Sequence, residues 1–242
     1  MAGIRDAMPL PMSRKTAPIA DPASHSGAAL FEAEALPELD EALARLPQRS
    51  QQLLKIAQQA WDRQQGLCLF AYGSLIWKPG FEPAQTLPAQ VHGYHRALRL
   101  RSLVNRGSQE RPGLVLTLLS GGSCHGLVYR AKPAESETLL NVLWAREMVV
   151  GSYEPRWLNC KTPHGPVRAL GFTLSRASPG YVGELSDAAL LDIFKHSHGR
   201  YGSTLDYLMR TVQSLRDRGL RDADLERQWR LAARHGLCPA LN

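Results

Sequence analysis

The stretch Leu67-Cys68-Leu69-Phe70-Ala71-Tyr72-Gly73-Ser74 decides how the rest of the chain is read. Its apolar run is too short for a buried helix and shows no alternation, so it predicts a short strand covered on both faces. Gly73-Ser74 then turns the chain out of the sheet. Toward the C-terminus a second strand fits 90–102, where Leu98 and Leu100 alternate with Arg99 and Arg101. Residues 113–119 and 123–130 flank Gly121-Gly122 and predict a hairpin turning on that pair. A helix is expected over 135–148, then a further hairpin from 156–161 and 167–175 around Pro163 to Pro166. Leu205, Leu208, Met209, Val212 and Leu215 form a helical stripe that stops at Gly219. Asp222 or Asp224 can cap a last helix carrying Leu225, Trp229 and Leu231, ended by Gly236. Toward the N-terminus Leu43, Leu46, Leu53, Leu54, Ala57 and Trp61 recur at helical spacing. Pro47 divides them into two short helices, and Gly66 is expected to cap the second. Strands between 67 and 175 with helices at the ends give the α+β class, a mainly antiparallel sheet or small barrel with helices beside it.

A chain of 242 residues can bury a sizeable core, and residues 36–242 read as a single domain. Residues 1–35, with Pro9, Pro11, Pro18 and Pro22 and no aromatic before Phe31, read as a mobile tail. No apolar run approaches the roughly eighteen residues of a membrane span. Pro9 and Pro11 interrupt the segment where a secretory signal would be continuous, so a cytoplasmic protein is expected. Cys68, Cys124, Cys160 and Cys238 lie far apart with no CxxC, which excludes a disulfide scaffold or zinc finger. The formal charge is +7, but no five like charges run together. Arg96, Arg99, Arg101, Arg106 and Arg111 are therefore read as a solvated strand face in preference to a phosphate-binding patch.

Two places could carry chemistry. A strand that ends in a glycine turn presents backbone N–H groups with no Cβ in the way. Tyr72-Gly73-Ser74-Leu75 can thus hold an anion or a developing oxyanion, although Gly-Ser after a strand is usually only a turn. The second place is Glu147. Leu140 and Leu143 lie seven and four residues before it, on the same helix face, and Leu139 joins that stripe through Leu143. A carboxylate thus occupies a position where the periodicity expects an apolar side chain. Burial would raise its pKa toward a value useful for proton transfer; the alternatives are a helix end turned outward or a salt bridge to an arginine. Gly151-Ser152-Tyr153 ends the helix just beyond. His196 and His198 lack a third metal ligand and read as surface residues. Ser74 sits in no G-x-S-x-G elbow, Gly121-Gly122 in no phosphate-loop context, and Cys68 reads as a small core residue. Tyr207, on the apolar stripe of its helix, is core or, at a cleft, a substrate contact.

The segments FAYGSLIWKPGF (70–81), VHGYHRALRLRS (91–102), RPGLVLTLLSGGSCHGLVYR (111–130), LWAREMVVGSY (143–153) and GSTLDYL (202–208) resemble, in order, the ChaC-type, glutathione-specific γ-glutamylcyclotransferases. The resemblance runs from about 67 to 215 and leaves out the leading tail and the final helix. It implies a small mixed β-barrel with flanking helices, and cleavage of glutathione to 5-oxoproline and cysteinylglycine with neither cofactor nor metal. It further implies that Glu147 is the catalytic acid/base, that Leu69, Phe70, Ala71, Tyr72, Gly73, Ser74 and Leu75 bind the γ-glutamyl moiety, and that Tyr207 lies at the pocket. Arg101 stands where relatives commonly carry an aromatic. The expected partner is glutathione, with no nucleic acid and no membrane. The alternatives are a cyclotransferase for other γ-glutamyl amines and, in a different class, a basic module binding RNA or an acidic partner.

Overall fold

The structure is a computed structural model that describes residues 36–241; the expected mobile tail, residues 1–35, lies outside them. Five strands close into a barrel in the order β1-β3-β2-β4-β5: β1 (Cys68–Ala71), β2 (Gln85–Ser102), β3 (Gly113–Arg130), β4 (Glu154–Thr162) and β5 (Gly165–Thr173). Most pairs are antiparallel, and β5 closes the ring by parallel contacts, Leu69 opposite Leu170 and Leu118 opposite Thr173. All four residues of β1 are buried, as an unbroken apolar run requires at the centre of a sheet covered on both faces.

Helices pack around this barrel: α1 (Leu36–Ala44) and α2 (Gln48–Gln59), parted at Pro47, then α3 (Ser136–Glu147), α4 (Asp187–His196), α5 (Thr204–Arg216) and α6 (Ala223–Arg234). Leu139, Leu140, Leu143 and Trp144 of α3 are buried. The Trp144 ring tilts against Phe172 of β5, 6.0 Å between centroids, and its indole N–H donates to the Ser50 carbonyl at 2.8 Å. Ser50 in turn donates to the Met148 carbonyl at 2.9 Å, so α2 braces the end of α3. Ser203 and Asp206 form a capping box at the start of α5, and Asp222 accepts from the Leu225 amide to cap α6. The helical stripe of α5 buries Leu205, Tyr207, Leu208, Val212 and Leu215.

Three expectations are corrected. Gly121-Gly122 is no hairpin turn, because β3 runs unbroken from residue 113 to 130 and both of its halves pair with β2. The glycines, at φ +100° and +71°, bend the strand where the β2–β3 register shifts between His92 and Tyr94. A long ribbon that must curl round a small barrel needs such a kink, and left-handed glycines supply it. Gly66 does not cap α2, which ends at Ala60; Asp62 accepts from the Gln64 amide and starts a separate short turn that Gly66 closes. The arginines are not a uniform wet face. Arg101 and Arg111 are exposed and Arg99 reaches Glu184 at 3.1 Å, but Arg96 and Arg106 are buried. The Arg96 guanidinium donates to the Tyr72 carbonyl, to the His125 carbonyl at 2.6 Å and to Asp222 at 2.6 Å. Arg106 donates to the Tyr201 carbonyl and lies over the rings of Trp77 and Tyr207. Burial is tolerable there because carbonyls, a carboxylate and aromatic faces replace water.

Candidate active site

At the end of β1 the chain leaves the barrel through Gly73 into a 3-10 turn, Ser74–Ile76, while α3 brings its last residue, Glu147, to the same spot. The two meet over a cavity lined by Tyr72, Gly73, Ser74, Leu75, Leu116, Glu147, Tyr153, Phe172 and Tyr207. Gly73 is needed there for close approach: a Cβ at this position would stand 2.9 Å from the Tyr207 hydroxyl. Its φ of −131° is not in the left-handed region, and the case for glycine rests on this close approach.

Three phenols surround the acid. Tyr72 donates to the Phe172 carbonyl at 2.6 Å and Tyr153 to the Leu116 carbonyl at 2.9 Å, while the Tyr207 hydroxyl accepts from the Leu116 amide at 3.4 Å. Burial raises all three pKa values, that of Tyr207 to about 12, so each phenol stays protonated at neutral pH. Glu147 is raised above the ordinary carboxylate value by burial, opposed by the Arg146 guanidinium. That guanidinium places Nε 3.0 Å from a Glu147 carboxylate oxygen, and the Glu147 side chain keeps 18% of its surface exposed. Such an acid holds its proton to higher pH than an exposed glutamate yet stays open enough to exchange it. Both readings of Glu147 thus apply: it faces inward, and it is paired with an arginine.

Tyr72, Gly73, Ser74, Leu75, Glu147 and Tyr207 come together around this cavity. Leu69, Phe70 and Ala71 lie in β1 behind them, each essentially without exposed surface, and do not line it. Sequence reasoning missed Leu116, Phe172 and Tyr153 as wall residues. Tyr153 carried a signal, since an aromatic six residues beyond Glu147, just past Gly151-Ser152, stays close to the helix terminus; Leu116 and Phe172 looked like any strand residue. His196 is exposed and bonded to Asp192 in its own helix, as a surface histidine. Among the described residues no cluster of His, Cys, Asp or Glu could hold a metal ion, and no helix is long and apolar enough to cross a membrane.

A closed mixed barrel with helices packed around it is the fold of the γ-glutamylcyclotransferases. A solved structure of the selenomethionine-labelled yeast γ-glutamylcyclotransferase specific to glutathione superposes with a TM-score of 0.65 at 20% identity, over 71% of this chain and 97% of that one. The chain belongs to the ChaC family: the family described as ChaC-like protein matches residues 67–231. That match takes in most of α6, where the resemblance stopped short. Similar proteins include a glutathione-specific γ-glutamylcyclotransferase of Escherichia coli K12, 32% identical over 65% of this chain and 68% of that protein. Glutathione-specific γ-glutamylcyclotransferase 1 of Rattus norvegicus is 32% identical over 64% of this chain and 72% of its own length.

Proposed function

We propose that the protein cleaves glutathione into 5-oxoproline and cysteinylglycine, with Glu147 moving the protons. The observation that carries this reading is the Glu147 carboxylate sharing one cavity with the Tyr72–Leu75 turn on a ChaC-family barrel. The substrate's own α-amine attacks its γ-carbonyl; the new C–N bond closes a five-membered ring and the bond to the cysteine nitrogen breaks. The attacking nitrogen must first shed a proton, because an ammonium has no lone pair. The departing nitrogen must gain one, because an amide anion is a poor leaving group. Glu147 takes the proton released in ring closure and hands it to the leaving amine. Holding the γ-glutamyl arm folded is worth ~7–11 kcal/mol as proximity, and the N–H groups of the Gly73–Ser74 turn serve the developing oxyanion.

The cavity has room for little more than a water molecule, ≈ 20 Å³, so the γ-glutamyl arm enters by displacing side chains at the rim. Leu69, Phe70 and Ala71 support the site from behind, and their role in binding runs through the position of Tyr72. A cytoplasmic location suits four cysteines of which none is paired. Incubation of the purified protein with glutathione, followed by mass spectrometry for both products, tests the reaction. γ-Glutamyl-alanine assayed beside it tests the alternative that other γ-glutamyl amines are preferred, and failure to turn over either compound overturns the assignment.

A further inference from the structure

Arg146 is the neighbour of Glu147, yet its side chain does more than balance a charge. Nε lies 3.0 Å from Glu147, Nη2 donates to the Ser74 hydroxyl at 3.1 Å, and Nη1 donates to the Lys78 carbonyl at 3.0 Å. All three nitrogens of one planar group are thus used, on three partners from two elements. The Ser74 hydroxyl belongs to the turn at the cavity and the Lys78 carbonyl lies just beyond that turn, while the carboxylate is the acid itself.

We propose that Arg146 is a positioning residue of the reaction, fixing the separation between the proton-transferring carboxylate and the substrate-binding turn. The inference rests on the cyclotransferase reading of the site. A guanidinium suits the task because its donors are held in one rigid fork; a lysine ammonium on a flexible stem cannot bridge the same three acceptors in register. The placement also has an electrostatic consequence. The groups facing Glu147 are Tyr72 from β1, Tyr207 from α5, Tyr153 ahead of β4 and Arg146 from its own helix. The three phenols are neutral, so Arg146 supplies the positive charge that favours the ionised acid against burial. Without it the carboxylate holds its proton to higher pH and the acid side of the rate profile moves upward.

The test compares the wild type with Arg146→Gln and Arg146→Lys, reading kcat and KM for glutathione across pH together with the melting temperature. Wild-type turnover is established first; its absence overturns the functional reading and not this one. For Arg146→Gln the expected results are an acid limb of kcat/KM displaced upward by about 1 pH unit and kcat at its optimum reduced ~10-fold or more. Arg146→Lys is expected to restore the position of the acid limb but not the optimal kcat, since it returns charge without the fork. An unmoved acid limb with kcat within about twofold of wild type in Arg146→Gln overturns the proposal. So does full recovery of kcat in Arg146→Lys. If Arg146→Gln does not fold, Arg146→Lys with Ser74→Ala decides the matter: both are expected to lower kcat at unchanged melting temperature, and wild-type kcat in the pair refutes the positioning role.

Discussion

Replacing Glu147 with glutamine removes the proposed proton carrier while keeping the size of the side chain. The loss can be divided between two protons. The substrate amine stands beside a free α-carboxylate and is mostly protonated at neutral pH, so a base for that first proton accounts for part of the loss. The remainder comes from delivery to the departing nitrogen. Together these lie within the ~10²- to 10⁴-fold typical of positioned acid–base groups, about 3–5 kcal/mol of barrier. Stability should move the other way. Glu147 has a folded pKa raised by burial, so between its unfolded and folded values the native state binds more protons, and stability falls as pH rises through that window. Above its folded pKa the ionised acid therefore detracts from the fold, and glutamine relieves that cost; Arg146 keeps Ser74 and the Lys78 carbonyl as partners. The assay is 5-oxoproline release from glutathione over a pH series, with thermal melting alongside. The wild type should lose kcat/KM on an acid limb lying above the ordinary glutamate range, and the variant should melt no lower than the wild type. Turnover in Glu147→Gln within about threefold of wild type would refute the proton-carrier role, because among the described residues no other carboxylate lines the cavity.

Gly73→Ala sets a Cβ 2.9 Å from the Tyr207 hydroxyl, and KM for glutathione should rise several-fold, about tenfold or more for Gly73→Val; an unchanged KM in both removes the turn from binding. Arg96→Met strips the Tyr72 and His125 carbonyls and Asp222 of a donor whose side chain is 1% exposed, so urea unfolding should show a loss of about 3–5 kcal/mol. Trp144→Ala empties a fully buried site and frees the Ser50 carbonyl, for a loss of about 3–5 kcal/mol by the same measurement, with α2 loosened from α3.

Much of the fold could be read from the chain because local rules and burial agree there. Continuous apolarity over residues 67–72 has one compact solution, a strand covered on both faces, and β1 is that strand. Asp222 caps α6 because its carboxylate reaches an amide three residues on, an interaction local enough to see in sequence. The misreading at Gly121-Gly122 has the opposite origin. Paired glycines permit both a hairpin turn and a bend, and the choice is made by β2, which pairs with residues on both sides of them. Hydrogen bonding to a strand tens of residues away outweighs a local turn preference.

The site divides along the same line. Glu147 was conspicuous because a charge interrupted an apolar stripe, a contradiction contained within one helix. Arg96 and Arg146 produced no such contradiction, since a strand arginine and a helix-end arginine are each ordinary. Their meaning lies in their acceptors, and half of those are backbone carbonyls. Arg96 reaches Tyr72, 24 positions away, His125, 29 away, and Asp222, 126 away; Arg146 reaches Ser74 across 72. A carbonyl carries no side-chain identity, so no residue type at those positions announces that an arginine will arrive. What can be anticipated is the need: a tyrosine carbonyl at the mouth of a glycine turn, leaving the sheet ladder, must find a donor once the barrel closes over it. Arg96 meets that need at Tyr72, and the same guanidinium ties the turn's first residue to the N-cap of α6. The barrel, the last helix and the Tyr72–Leu75 turn are therefore one hydrogen-bonded unit, with the turn held on one side by Arg96 and on the other by Arg146 at the end of α3.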